Sequence, residues 1–360
     1  MTDTSTVSSP APMEGGGGYN RRSSVQAAGL SPAVPLFEHV ASTVPLPAAP
    51  EPIVIADYGS SEGRNSLAPM WIALRTLRNR VGKDRAISFV HTDLAENDFS
   101  ALFRTLTDDP DSYPRRDSAA FASAIGRSFY EQILPSASVT LAWSSWALQW
   151  LSRTPARISD HVHINASHDA AAIAVYADQA EQDWRAFLTS RGRELREGGR
   201  LVVLTMALRD GDFGLRPLVE AMYGALLDLV DEGFIHSDER KRMAIPMVSR
   251  SRDNLAAPFV GNGHFAGLSI EHLEVFESED RNWSAFETDH DAEKFGAKWA
   301  AFSRGSVFPT LALCLEGARH DPRAAKFVDK LEVGMATRLA AAPQPMCIPL
   351  ARIALAKQDR

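Results

Sequence analysis

Two glycines stand four residues apart behind an acidic residue in Asp57-Tyr58-Gly59-Ser60-Ser61-Glu62-Gly63, directly after the apolar run Ile53 to Ala56. Beyond the carboxyl end of a strand, where α/β sheets bind ligands, such a small-residue turn lets a ligand approach the backbone. Asp93 closes the next apolar run, Ile87 to Val90. From that position a carboxylate can accept two hydrogen bonds from a ribose diol. The turn lacks the Gly-x-Gly-x-x-Gly spacing that seats a pyrophosphate at a helix N-terminus, which disfavours an NAD-dependent oxidoreductase.

A nucleoside cofactor without phosphate suits this turn better. S-adenosylmethionine is one, and its cationic end would be favoured near Asp57, where a pyrophosphate would be repelled. Farther on, Trp143, Trp146 and Trp150 recur at i, i+3 and i+7, the spacing of one helix face. Trp143 reads as core, whereas Trp146 and Trp150 lie just past a strand end, where pockets form. A buried indole N–H needs an acceptor, and a substrate oxygen would serve.

The elements that must position these groups alternate. Ile53–Ala56, Ile87–Val90, Val139–Trp143 and Leu201–Met206 read as strands. Helical patterns follow them over Leu67–Val81, around Phe99–Leu106, through a short helix to Leu151, and over Ala170–Arg196 ahead of the last strand. Alternation of this kind predicts an α/β fold with a doubly wound, mostly parallel sheet. Leu215–Gly233 is helical, Arg240–Gly263 reads as loop within an inserted cap, His264–Phe276 offers a return strand, and Ala297–Ala340 is alanine-rich and helical.

Composition narrows the partners. The 360 residues carry 45% hydrophobic and 23% charged side chains, ordinary values for a packed globular chain. No run approaches the roughly 20 apolar residues of a membrane span, and the start has no apolar signal core, so a cytoplasmic protein is expected. A net charge of −7, with its Arg and Lys scattered among acids, argues against nucleic acid and for a small-molecule partner. Cys314 and Cys347 are too few for a disulfide framework or a zinc site. Oligomeric state is left open, a homodimer included.

Several separated segments together resemble the SABATH family of carboxyl methyltransferases. Asp57 to Asn65 is similar to the family's Asp-Leu-Gly-Cys-Ser-Ser-Gly-Pro-Asn, and Thr92-Asp93-Leu94-Ala95-Glu96-Asn97-Asp98-Phe99 to its Asn-Asp-Leu-Pro-x-Asn-Asp-Phe. Ser128-Phe129-Tyr130 with Leu134-Pro135 resembles Gly-Ser-Phe-Tyr and Phe-Pro. Ser144 to Ser152 resembles Ser-Ser-Tyr-Ser-Leu-His-Trp-Leu-Ser, and Tyr19, Ser23 and Gln26 keep the spacing of Ser-Tyr-x-x-Asn-Ser-x-x-Gln. The resemblance runs from about Tyr19 to Pro246 and fades beyond.

It implies a Rossmann-like class I methyltransferase sheet with a helical cap and S-adenosylmethionine as cofactor. Asp93 and Leu94 would hold the ribose and Ser128 and Phe129 the adenosine, with Tyr19, Ser23, Asp57, Gly59 and Asn65 around the rest. Gln26 and Trp150 would hold the substrate carboxylate, and Trp146 and Gln149 would line the pocket where the family more often has Tyr and His or Met. The implied organisation is a tail to residue 12, a core with an N-terminal lid over 13–210, a cap over 211–263, and a return strand with further helices of core and cap over 264–360. The implied reaction makes a methyl ester of a small, largely apolar acid; a few relatives methylate ring nitrogens instead.

Departures sharpen the expectation. Arg22, Arg64 and Arg127 replace the family's Asn, Pro and Gly. Val219 stands where salicylate-type members carry Trp, with Met243 and Met247 nearby, so a wider pocket suited to fatty or terpenoid acids is expected. Lys241, Met243 and Ala244 fall where some relatives place Asp, Phe and Asn associated with magnesium, so no metal is expected.

Overall fold

A computed structural model of the chain describes residues 11–358. Its strands are β1 (Ile53–Tyr58), β2 (Ile87–Asp93), β3 (Ala120–Gly126), β4 (Val139–Ser145), β5 (Leu195–Leu208), β6 (Arg250–Ser251), β7 (Leu268–Glu277) and β8 (Pro349–Lys357). They form one sheet in the order β3-β2-β1-β4-β5-β8-β7, with β6 beside the end of β5. β1 to β5 are mutually parallel, and β8 is antiparallel to both of its neighbours. This is the doubly wound α/β sheet expected, with helices packed around it.

The chain leaves β1 toward β2 and β3, then returns to place β4 on the other side of β1. At such a reversal the connections diverge to opposite faces and leave a crevice beyond the strand ends. The turns after β1 and β4 meet there so closely that a Cβ on Gly59 would lie 2.6 Å from the Ala147 Cβ. Gly59 also has φ of 87°, a conformation that other residues rarely adopt. Asp98 and Asp169 start the helices Phe99–Asp108 and Ala170–Glu194 by accepting the N–H of Ala101 and Ala172.

Three expectations are corrected. No helix follows Trp143: that residue stays in β4, packed on Phe37, and Trp146 turns the chain with φ of 53°. The three tryptophans are therefore not one helix face. The stretch from Arg240 holds the end of the helix Ser237–Arg242, then β6 and the helix Arg252–Ala256, rather than loop alone. The alanine-rich stretch is divided into helices Ala292–Ser306, Phe308–Ala312 and Ala324–Ala341. Strands β3 and β8 were not anticipated. Of the expected tail, residues 1–10 lie outside the described residues, whereas Ala11 is buried and donates its N–H to Thr310 Oγ1 at 3.2 Å.

One buried ion pair fixes the loop that follows β3. Arg191 and Glu194, both fully buried, face each other at 2.8 Å near the end of the helix Ala170–Glu194. Arg191 donates to the carbonyls of Phe129 and Glu131, each at 2.8 Å, and lies over the Tyr58 ring at the end of β1. Glu194 accepts the Tyr58 hydroxyl and the N–H groups of Ile133 and Leu134. Removing one partner strands a buried charge. Arg191→Met is expected to lower unfolding free energy in denaturant titration by about 3–5 kcal/mol, and a loss under about 1 kcal/mol would contradict this role.

Candidate active site

Two adjoining cavities lie beyond the carboxyl ends of β1, β2 and β4. The larger, about 390 Å³, is walled by Tyr19, Gly59, Ser61, Asp93, Leu94, Ser128 and Phe129 among others. The smaller, about 40 Å³, is walled by Gln26, Gln149, His163, Val219, Met222 and Ser303 among others. Met13, Tyr19, Trp146 and Trp150 line both, so they form the junction.

In the larger cavity Asp93 is held by two backbone donors. Its Oδ2 accepts the N–H of Ser61 at 2.7 Å and its Oδ1 the N–H of Leu94 at 2.8 Å. A carboxylate offers about four acceptor sites, so lone pairs remain on both oxygens. Burial raises the Asp93 carboxyl to about 6, more than these two hydrogen bonds lower it. Ser61 Oγ is buried without a partner beside it. A cavity with a carboxylate acceptor, an unmet hydroxyl, the Phe129 ring and no Lys or Arg on its wall fits a phosphate-free nucleoside.

Burial, with the Asp93 charge added, pushes the Tyr19 phenol above its ordinary value and keeps it a neutral donor. Tyr19 belongs to the helix Gly18–Arg22, which is fastened to the cofactor turn by Glu62. The Glu62 carboxylate accepts the N–H of Gly17 at 2.6 Å and of Asn20 at 2.9 Å, and Asn20 Nδ2 reaches the Glu62 carbonyl and Thr105 Oγ1. Sequence reading missed Glu62. The available signal was an acid standing where the resembling motif has Ser.

Not every expected residue reaches a cavity wall. Asp57 is buried behind its turn, with Oδ2 at 2.9 Å from His91 Nδ1, whose Nε2 is 2.8 Å from the Tyr113 hydroxyl. Ser23 is buried between the helices Gly18–Arg22 and Ser24–Leu30, and Asn65 lies in the first turn of the helix Arg64–Val81. Neither lines a cavity. Met243 is fully buried at the end of the helix Ser237–Arg242 and lines neither cavity, because that helix end packs into the core.

Trp146 is the most constrained residue of the junction. Its left-handed backbone is unusual for a bulky side chain and is sustained only by surrounding contacts. Its N–H donates to the Leu204 carbonyl of β5 at 2.9 Å, and its carbonyl accepts Gln149 Nε2 at 2.7 Å. Gln149 Oε1 accepts Thr205 Oγ1 at 3.3 Å, so the Gln149 amide is engaged in holding Trp146. A Cβ on Gly29 would meet the indole at 2.6 Å, which makes Gly29 the floor under the ring. Thus clamped, Trp146 Nε1 is buried with no partner, as is Gln26 Oε1 across the same cavity.

Val219 shares its wall with Leu218, Met222 and Phe302, and these side chains leave the cavity narrow rather than wide. Unbranched Met206, Met222 and Met247 on that wall are the groups able to move aside. Among the described residues no cluster of three or more His, Cys, Asp or Glu is placed to hold a metal ion. No helix among them is long and apolar enough to cross a membrane.

The fold is shared with a solved methyltransferase. Loganic acid methyltransferase with S-adenosylhomocysteine superposes with a TM-score of 0.76 at 20% identity, over 97% of this chain and 99% of that one. In sequence, gibberellic acid methyltransferase 1 of Arabidopsis thaliana is 28% identical over 71% of this chain and 73% of its own length. Salicylate carboxymethyltransferase of Clarkia breweri is 28% identical over 66% of this chain and 67% of its own. The profile of the SAM-dependent carboxyl methyltransferases matches residues 9–341, and the chain belongs to that family.

The raised Asp93 carboxyl sets a pH dependence. Its charged form is the better acceptor and predominates only above about pH 6, so affinity for S-adenosylhomocysteine is expected to fall as pH drops through that value. Asp93→Asn should flatten the profile, and Asp93→Ala should weaken binding about ten- to hundredfold at pH 7.5 by calorimetry. A flat wild-type profile would contradict the assignment.

Proposed function

We propose that this carboxyl methyltransferase acts on an apolar acid bound in the smaller cavity, its carboxylate held at the junction by Gln26, Trp146 and Trp150. The observation that carries the reading is the chemistry of that junction. Trp146 and Trp150 bring neutral indole N–H groups to it, Gln26 adds a neutral amide from the smaller cavity, and no Lys or Arg lines either cavity among the described residues.

A carboxylic acid with a pKa of about 4 is already an anionic nucleophile at neutral pH, so no general base is required. S-adenosylmethionine, when bound, supplies a methyl group on a sulfonium sulfur. The protein must place a carboxylate oxygen in line with that methyl and keep water off the anion. Trp146 and Trp150 line both cavities and so can fix the oxygen at the boundary. Gln26 offers its amide from the helix Ser24–Leu30, where it is buried. Neutral donors orient the anion without the strong charge pairing of an Arg, which would hold its lone pairs.

Asp93, Leu94, Ser128, Phe129, Gly59 and Tyr19 are assigned to the cofactor by their place on the larger cavity. The segment over residues 13–30 acts as a lid and the helices around Val219 as a cap. A cytoplasmic setting fits two free cysteines, Cys314 and Cys347. With Val219 and four methionines on the wall, medium-chain fatty or terpenoid acids are expected to exceed salicylate in kcat/KM, because they can use adaptable apolar contact that a flat ring cannot.

Labelled-methyl transfer across aromatic, terpenoid and fatty acids, with the product ester identified by mass spectrometry, tests the reading. Val219→Trp should shift preference toward salicylate. Absence of ester from every acid would refute carboxyl methylation of apolar acids; salicylate as the best wild-type substrate would refute the pocket argument alone.

A further inference from the structure

The smaller cavity contains more unmet polarity than a carboxylate uses. Beyond Gln26 and the two tryptophans, its polar lining includes Tyr19, Gln149 and Ser306, of which Gln149 and Ser306 are already hydrogen-bonded, and, from unrelated elements, His163 and Ser303. His163 precedes the short helix Ile164–Ala166, and its Nδ1 caps that helix by accepting the Asn165 N–H at 3.2 Å. A ring nitrogen that accepts carries no proton, so the proton of the neutral ring is on Nε2. The imidazole is buried and stacked on Phe213 with planes 11° apart, which fixes its orientation. Burial, with His161 nearby, lowers its pKa to about 3, and the ring stays neutral at any working pH. Among the described residues Nε2 has no hydrogen-bond partner.

Ser303 lies on the helix Ala292–Ser306, is fully buried, and its Oγ has no partner. A helical serine usually bonds back to a carbonyl one turn earlier, as Ser306 does to Phe302 here. An imidazole N–H and a serine hydroxyl lining one largely apolar cavity are costly to leave dry. Neither is needed at the carboxylate, which already has neutral donors at the junction.

Resting on the reading that the acid occupies this cavity, we propose that His163 and Ser303 bind an oxygen atom carried on the apolar body of the substrate, away from the reacting carboxylate. The physiological acid is thus an oxygenated one, bearing a hydroxyl or carbonyl group, and His163 and Ser303 set that specificity. A site built to bond a substrate oxygen rejects the analogue that lacks it far more strongly than an apolar pocket discriminates between chain lengths.

The test compares decanoic acid with its positional monohydroxy and mono-oxo derivatives, using full-length protein and S-adenosylmethionine. At least one oxygenated acid should exceed decanoic acid in kcat/KM by about tenfold or more, and in His163→Phe that ratio should collapse to within about threefold of one. His163→Gln, which keeps a donor, should retain part of the preference. Ser303→Ala should reduce it, and serves alone if His163→Phe no longer binds S-adenosylhomocysteine. Decanoic acid equal to or better than every derivative, or a preference unchanged in both variants, overturns the inference while leaving carboxyl methylation standing. No ester from any of these acids, with S-adenosylhomocysteine still bound, would overturn the underlying reading and the inference with it.

Discussion

The proposed site is organised around an anion that must be held in a dry cavity without a cation. Coulomb attraction from Arg or Lys would secure a carboxylate easily, but it would hold the same lone pairs that must attack. In the proposed reading neutral groups converge instead from two separate parts of the chain, Gln26 from the helix Ser24–Leu30 and Trp146 and Trp150 from the turn after β4. Neutral donors are weaker individually, so their placement has to be rigid. That requirement accounts for the left-handed Trp146, the engaged Gln149 amide, the tie to β5 through Leu204, and a glycine at position 29 where any side chain would strike the indole.

Carboxylates perform the complementary task on the proposed cofactor side, each in a different way. Asp93 keeps lone pairs open toward the larger cavity while two N–H groups orient it. Glu62 joins residues 17 and 20 to the turn after β1, so the position of the N-terminal segment and the geometry of that turn are mechanically linked. Glu194, with Arg191, holds the backbone from Phe129 to Leu134 against the end of β1. Two loops and the N-terminal segment, all distant in sequence, are thereby referenced to the carboxyl end of β1 and its neighbours.

Local features were legible in the sequence. The strand-turn-helix units at β1 and β2 are encoded by short apolar runs, small residues and an acidic terminus, all within about 30 residues, and they place Gly59 and Asp93 side by side. What depended on distant pairing was not legible. β8 is alternating Ala, Ile and Leu with a helix-compatible composition, and it becomes a strand because β5 and β7 pair with it on both sides. The spacing of Trp143, Trp146 and Trp150 imitates a helix face, but Trp143 belongs to β4 and the chain reverses at Trp146. His163 gave no motif at all; its significance comes from Phe213 and the cavity, which the fold alone brings together. Conversely, Asp57 looked free to meet a cation, and the buried His91 engages it.

Gln26 lines the smaller cavity but not the larger, so its substitution separates acid binding from cofactor binding. Gln26→Glu is nearly isosteric and adds one negative charge beside the proposed carboxylate position. The decisive measurement is kcat/KM of this variant for its best acid at pH 7.5, alongside its affinity for S-adenosylhomocysteine. Like charges about 4 Å apart at an effective dielectric near 20 repel by about 4 kcal/mol, so kcat/KM should fall at least about a hundredfold with cofactor affinity retained. A value within about threefold of wild type would contradict the placement of the substrate anion at Gln26.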